Sequence, residues 1–108
     1  MVDKILTAAG IPYRRARFTA SKAGVDTYAV YLDDIDQDGS DDGRALILRH
    51  DITVELYESK PDPKAEAAIE AAINAEGLLW TKQDRYWLQT EQQYQVIYEF
   101  SYIEKRRI

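Results

Sequence analysis

Cysteine is absent from the 108 residues, which removes disulfides, thiolate nucleophiles and thiolate metal sites together. Long apolar runs are absent as well. None approaches the roughly 20 residues that a membrane-spanning helix needs. Met1-Val2-Asp3-Lys4 opens straight into a short amphipathic stretch. It has no basic region followed by an apolar run of signal-peptide length, so secretion by that route is not expected. Positive charge is in short supply: 14 Lys and Arg face 19 Asp and Glu, for a formal net charge of −5. That sign argues against a chain that binds DNA non-specifically. The sequence has no Gly-x-Ser-x-Gly, no phosphate loop and no dinucleotide fingerprint, and these missing motifs point away from an enzyme.

What remains is an ordinary soluble composition, 45 % hydrophobic and 31 % charged, long enough for one core. Residues 1–108 read as a single domain. Val2, Ile5, Leu6 and Ala9 have helical spacing, stopped by Gly10 and Pro12. Residues 13–23 read as irregular or weakly extended. Asp26 to Leu32 alternates as a strand, and residues 33–43 read as a polar loop. The next strand places Leu46, Leu48, His50, Ile52, Val54 and Leu56 on one parity. Asp62 is a good N-cap, with Pro63 in the first helical position and Gly77 as the stop of an alanine-rich helix over 63–76. Its expected buried stripe is Ala65, Ala68, Ile69, Ala72 and Ile73. Leu79 to Leu88 and Tyr94 to Ile103 read as a second hairpin with large aromatics on both faces. The expected fold is therefore α+β: an antiparallel sheet of about four strands in two hairpins, one main helix packed on a face and a short N-terminal helix. One helix cannot cover two apolar faces, so the N-terminal segment or another subunit must cover the second.

Asp34-x-Asp36-x-Asp38-Gly39 matches the first half of a calcium loop, with Asp42 placed to bind through water. Ala45 stands where the bidentate glutamate belongs, and strands replace the flanking helices. Asp and Gly are also the ordinary residues of a turn. No cofactor is expected apart from this calcium option. His50 is the lone histidine and reads as a hydrogen-bonded sheet residue near Tyr28 or Val30. Arg49 and Asp51 read as surface or cross-strand charges.

Two basic clusters, Arg14-Arg15-x-Arg17 and Lys105-Arg106-Arg107, contrast with six aspartates and no base in residues 33–42. Unlike patches on one chain suit head-to-tail self-association. The candidate interface residues are Arg14, Arg15 and Arg17 with Tyr98, Phe100 and Tyr102, the aromatics having core packing as their alternative role.

The layout, with the stretches Tyr28-Ala29-Val30-Tyr31-Leu32-Asp33-Asp34, Trp80 through Leu88, and Tyr94 through Phe100, resembles the small tail-terminator or tail-completion proteins of long-tailed phages and prophages. The resemblance implies a non-enzymatic α+β subunit that forms a ring, often a hexamer, at the head-proximal end of the tail tube. Its implied partners are copies of itself, tail-tube proteins and head-completion proteins, with DNA only as passing cargo and no membrane. The implied location is a virion assembled in the bacterial host cytoplasm. The alternative from the residues alone is a small calcium-responsive or peptide-binding module, using the acidic 33–43 loop or an open strand edge.

Overall fold

Alternation is longest around Ile52, and the strand built there is the centre of the molecule. The computed structural model describes residues 1–15, 26–40 and 43–107; Arg17 and Asp42 lie outside the described residues. Strand β3 (Ala45–Glu58) pairs antiparallel on one side with β2 (Thr27–Ser40) and on the other with β6 (Gln93–Arg107). β1 (Tyr13–Arg15) joins the outer edge of β2 in parallel, while β4 (Trp80–Lys82) and β5 (Tyr86–Leu88) both pair with β6. The helices among the described residues are α1 (Val2–Ala9) and α2 (Pro63–Ala75).

The class is α+β, but the expected sheet of about four antiparallel strands is corrected to one mixed sheet of six strands among the described residues. The differences have local causes. β1 has only three residues, too few to show a period of two, and it pairs parallel because α1 and Pro12 return the chain alongside Ala29. The Leu79–Leu88 segment is two strands because residues 83–85 leave the ladder, and Arg85 turns towards Glu58 and Glu66. The expected loop over 33–43 is strand as far as Ser40, with a bulge between Gln37 and Gly39. Aspartate disfavours strands, but here the extended β3 supplies a complete ladder of partners. The register moves accordingly: His50 lies opposite Ile35, and Tyr28 opposite Tyr57.

The helices form as their residues require. Gly10 at φ 72 and Gly77 at φ 73 adopt the left-handed conformation that closes each helix. The Asp62 carboxylate accepts from the Ala65 N–H at 3.2 Å and from the Thr27 hydroxyl at 2.7 Å, so one cap also ties α2 to β2. Both helices cover the same sheet face. Ile5 and Leu6 from α1, with Ile69 and Ile73 from α2, bury Val54, Leu56, Val96 and Tyr98. Each such side chain contributes about 1.5–3 kcal/mol by leaving water. On the opposite face Tyr28, Val30 and Tyr57 form a smaller cluster with Leu88, the two tyrosine rings stacked at 5.2 Å. The aromatics Tyr98, Phe100 and Tyr102 of the last strand share the helix face.

The molecule is long, 50 × 27 × 22 Å. Beyond Tyr31, Ile52 and Phe100 the three long strands run on as an arm. Leu48, His50 and Ala45 are buried there but do not belong to the cluster packed beneath the helices.

Candidate functional site

Two polar constellations and a pair of charged strand edges stand out. The first is centred on His50, which alternation places on the helix-facing side of β3. His50 is 5 % exposed, and its ring stacks on Tyr102 at 4.4 Å. Nδ1 lies 2.9 Å from Asp33 of β2, and Nε2 lies 2.6 Å from Glu104 of β6. The imidazole therefore bridges three strands, and both ring nitrogens can donate at once only in the protonated ring. Arg106 beside Glu104, and then His50, hold the Glu104 carboxyl below its ordinary value. Burial, with Asp33 and Glu104 nearby, pushes the Tyr102 hydroxyl up. This is a clamp across the arm, joining β2, β3 and β6 through one side chain.

The second constellation lies where α2 meets β4 and β5. Glu58, fully buried at the end of β3, accepts from Arg85 at 3.2 Å and from the Asp62 N–H at 3.2 Å. Arg85 also binds Glu66, which takes Lys82 at 2.9 Å, and Lys82 reaches Glu70 at 2.8 Å. Glu70 accepts in turn from the buried Tyr98 hydroxyl at 2.7 Å. Burial, a hydrogen bond to Glu66 and the charge of Glu66 push Glu58 up to about 7. Burial acts upward on Glu66 too, but the hydrogen bonds from Glu58, Lys82 and Arg85 outweigh it and hold Glu66 low. Two carboxylates thus share a site by keeping one of them protonated. Among the described residues every buried side-chain polar atom has a partner, so the network is satisfied within the chain.

Sequence reasoning missed both constellations, although each had a signal. Glu66 falls on the same helical face as Ile69 and Ile73, and a carboxylate on an apolar stripe demands a cation. Asp33 and Glu104 share the parity of Tyr31 and Tyr102 in their strands, which placed them on the face of His50.

The predicted site residues scatter. Asp34, Asp36 and Asp38 lie in β2, not in a loop, and Arg49 meets Asp36 at 3.6 Å, Asp38 at 3.8 Å and Asp51 at 3.3 Å. Arg49 and Asp51 are surface charges on one face, as expected. The Ser101 hydroxyl donates to Asp51 and, with Arg49, lowers its carboxyl. Among the described residues no group of three His, Asp or Glu side chains is placed to hold a metal ion. Arg14 and Arg15 are exposed on β1. Tyr98 and Phe100 are core residues, and Tyr102 is half-buried against His50.

The second sheet face carries a broad, open groove of about 730 Å³ between the strands and residues 77–81, lined by Asp34, Asp51, Thr53 and Glu99 with Leu79 and Thr81. Leu79 is 92 % exposed at its rim. The groove is acidic, and the Ser101 hydroxyl in its wall donates to Asp51 at 2.6 Å.

Beyond Tyr31, no strand among the described residues pairs with the outer edge of β2. Beyond Phe100, none pairs with the outer edge of β6. Residues 33–40 on the first edge hold four aspartates, and residues 101–107 on the second end in Lys105, Arg106 and Arg107. Among the described residues the arm is thus a three-stranded ribbon with unlike charge on its two sides.

No known family profile matches the sequence, and no curated protein matches it. A solved chain from the virion of a native gene transfer agent particle is similar in fold, with a TM-score of 0.57 and 14 % identity, over 95 % of this chain and 83 % of that one. At that identity the likeness is one of fold.

Proposed function

We infer that the chain is a non-enzymatic structural subunit of a phage-like particle, and that its role is that of a tail terminator: a ring of copies that ends the tail tube and joins it to the head. The observation that carries this reading is the similarity in fold, along 95 % of the chain, to a component of a gene transfer agent virion. Two features support it. The constellations of titratable groups are consumed by internal hydrogen bonds, which leaves neither of them poised for chemistry. The arm projects past the helices with its long edges open among the described residues, and an open strand edge is a template on which another chain can pair. Partners under this reading are further copies, the tail tube and the head-completion proteins, met in the cytoplasm of a bacterial host. DNA passes as cargo, and the net charge of −5 suits a wall that releases it.

The test is genetic. Deleting the coding sequence in a strain that produces the particles should leave filled heads unattached to tails, and tail tubes of irregular length, in electron micrographs. Intact particles with tails of uniform length would overturn the reading.

A further inference from the structure

We propose that copies of this chain join head-to-tail by strand addition, the outer edge of β2 in one copy pairing with the outer edge of β6 in the next to make a sheet continuous across subunits. The proposal deepens the structural-subunit reading and rests on it for the need to assemble. Its occupant is a second copy of this chain, chosen by charge. Pairing two β2 edges would set Asp33, Asp34 and Asp36 against the same residues. Pairing two β6 edges would set Arg106 and Arg107 against themselves. Like charges directly opposed on a sheet are unfavourable, and charged edges are the usual defence against self-pairing. Only the unlike pairing of β2 with β6 escapes both penalties. An interface made of two different surfaces is heterologous, and repeats until it closes.

Direction and register fit. β2 and β6 both run antiparallel to β3, so they are parallel to each other. A neighbour related by rotation about an axis along the strands therefore presents its β2 parallel to β6. At equal height Asp36 lies level with Arg49 and Ile103, and Ser40 with Leu46 and Arg106. In that register Asp34 and Asp36 face Ser101 and Ile103, Arg106 lies level with Ser40 past the aspartates, and no like charges are directly opposed. Ile35 and Ile103 are 45 % and 57 % exposed, and both lie on the strands that the junction covers. The bulge at Gln37–Gly39 limits the flat pairing surface to the residues before it.

The test uses two variants of the full chain, R106D/R107D with both edges acidic and D34K/D36K with both edges basic. Matched thermal melts establish that each is folded. Sedimentation velocity at about 50 mM salt, where screening is weak, is run on the parent, each variant and their mixture. The parent should self-associate. Each variant alone should associate at least about tenfold more weakly, roughly 1.4 kcal/mol, and the equimolar mixture should regain the loss by forming mixed pairs. A monomeric parent, a variant that assembles like the parent, or a mixture no stronger than its parts overturns the proposal. If a reversed variant fails to fold, the neutral pair D36N and R107Q serves instead: assembly of each should lose most of its salt dependence, and an unchanged dependence contradicts the pairing. The structural-subunit reading stands or falls separately, on the particle phenotype of the deletion strain.

Discussion

At the scale of single residues the most consequential group is Glu58. It is buried at the end of β3, bonded to Arg85 and sharing a proton with Glu66. Its folded value of about 7 lies above the ordinary 4.5. The stability it contributes is therefore complete below the lower value and is lost as pH rises through the upper one. Glu66 is shifted the other way, so its contribution is present above the ordinary value and is lost as pH falls. Glu58→Gln removes the first dependence. Urea unfolding between about pH 5 and 8 should decline less steeply in the variant, by about 1–3 kcal/mol across the range; an unchanged slope contradicts the buried protonated carboxyl. Arg85 is the cation that makes the pair tolerable. Arg85→Ala should cost about 2–3 kcal/mol, less than a fully enclosed pair because the guanidinium is one-third exposed, and should raise the pH sensitivity of what stability remains. His50→Ala should cost about 2–4 kcal/mol, since Asp33 and Glu104 then face each other across the space the ring leaves. Its readout is loss of the arm's amide protection before the core's.

Elements differ in how much of themselves they print in the chain. α2 was legible end to end: Asp62, Pro63 and Gly77 are local signals whose effect depends on backbone geometry alone. Asp62→Ala should cost about 1–2 kcal/mol through the lost cap, with a further loss because Thr27 then lacks its acceptor. A matching cost in Thr27→Ala, non-additive with the first, is the check by double-mutant cycle. β3 was legible for the same reason, since fourteen residues of alternation are unambiguous. β1, β4 and β5 were not, because strands of three residues exist only through the neighbour that pairs with them. The aspartate-rich half of β2 misled for a different reason. Its local preference is turn, and β3 overrides it from outside the segment. The acidic pattern Asp34-x-Asp36-x-Asp38 lies in β2, which turns its alternate residues to one face. The candidate site was less legible than the fold. Arg14 and Arg15 are exposed on β1, and the hydrogen-bonded carboxylates round His50 and Arg85 come together from residues 17 to 54 positions apart.

For the whole molecule, two helices protect one end of one face and leave a ribbon reaching beyond them. Its core end is held by Ile69 and Ile73 against Val54 and Tyr98. Ile73→Ala there should lower stability by about 2–4 kcal/mol without altering assembly per folded molecule. Among the described residues the arm end is held by β-ladders, the buried Ala45 and Leu48 and the His50 clamp, and a neighbour on its edges would raise its stability further. Amide hydrogen exchange followed as a function of protein concentration reads that neighbour's arrival at each strand edge. Amides in 33–40 and 101–107 should slow by about tenfold or more as copies come together, while the exposed surface of α2 exchanges as before. Exchange along both strand edges that stays the same at every concentration, or protection that appears on α2 instead, would contradict assembly through the arm.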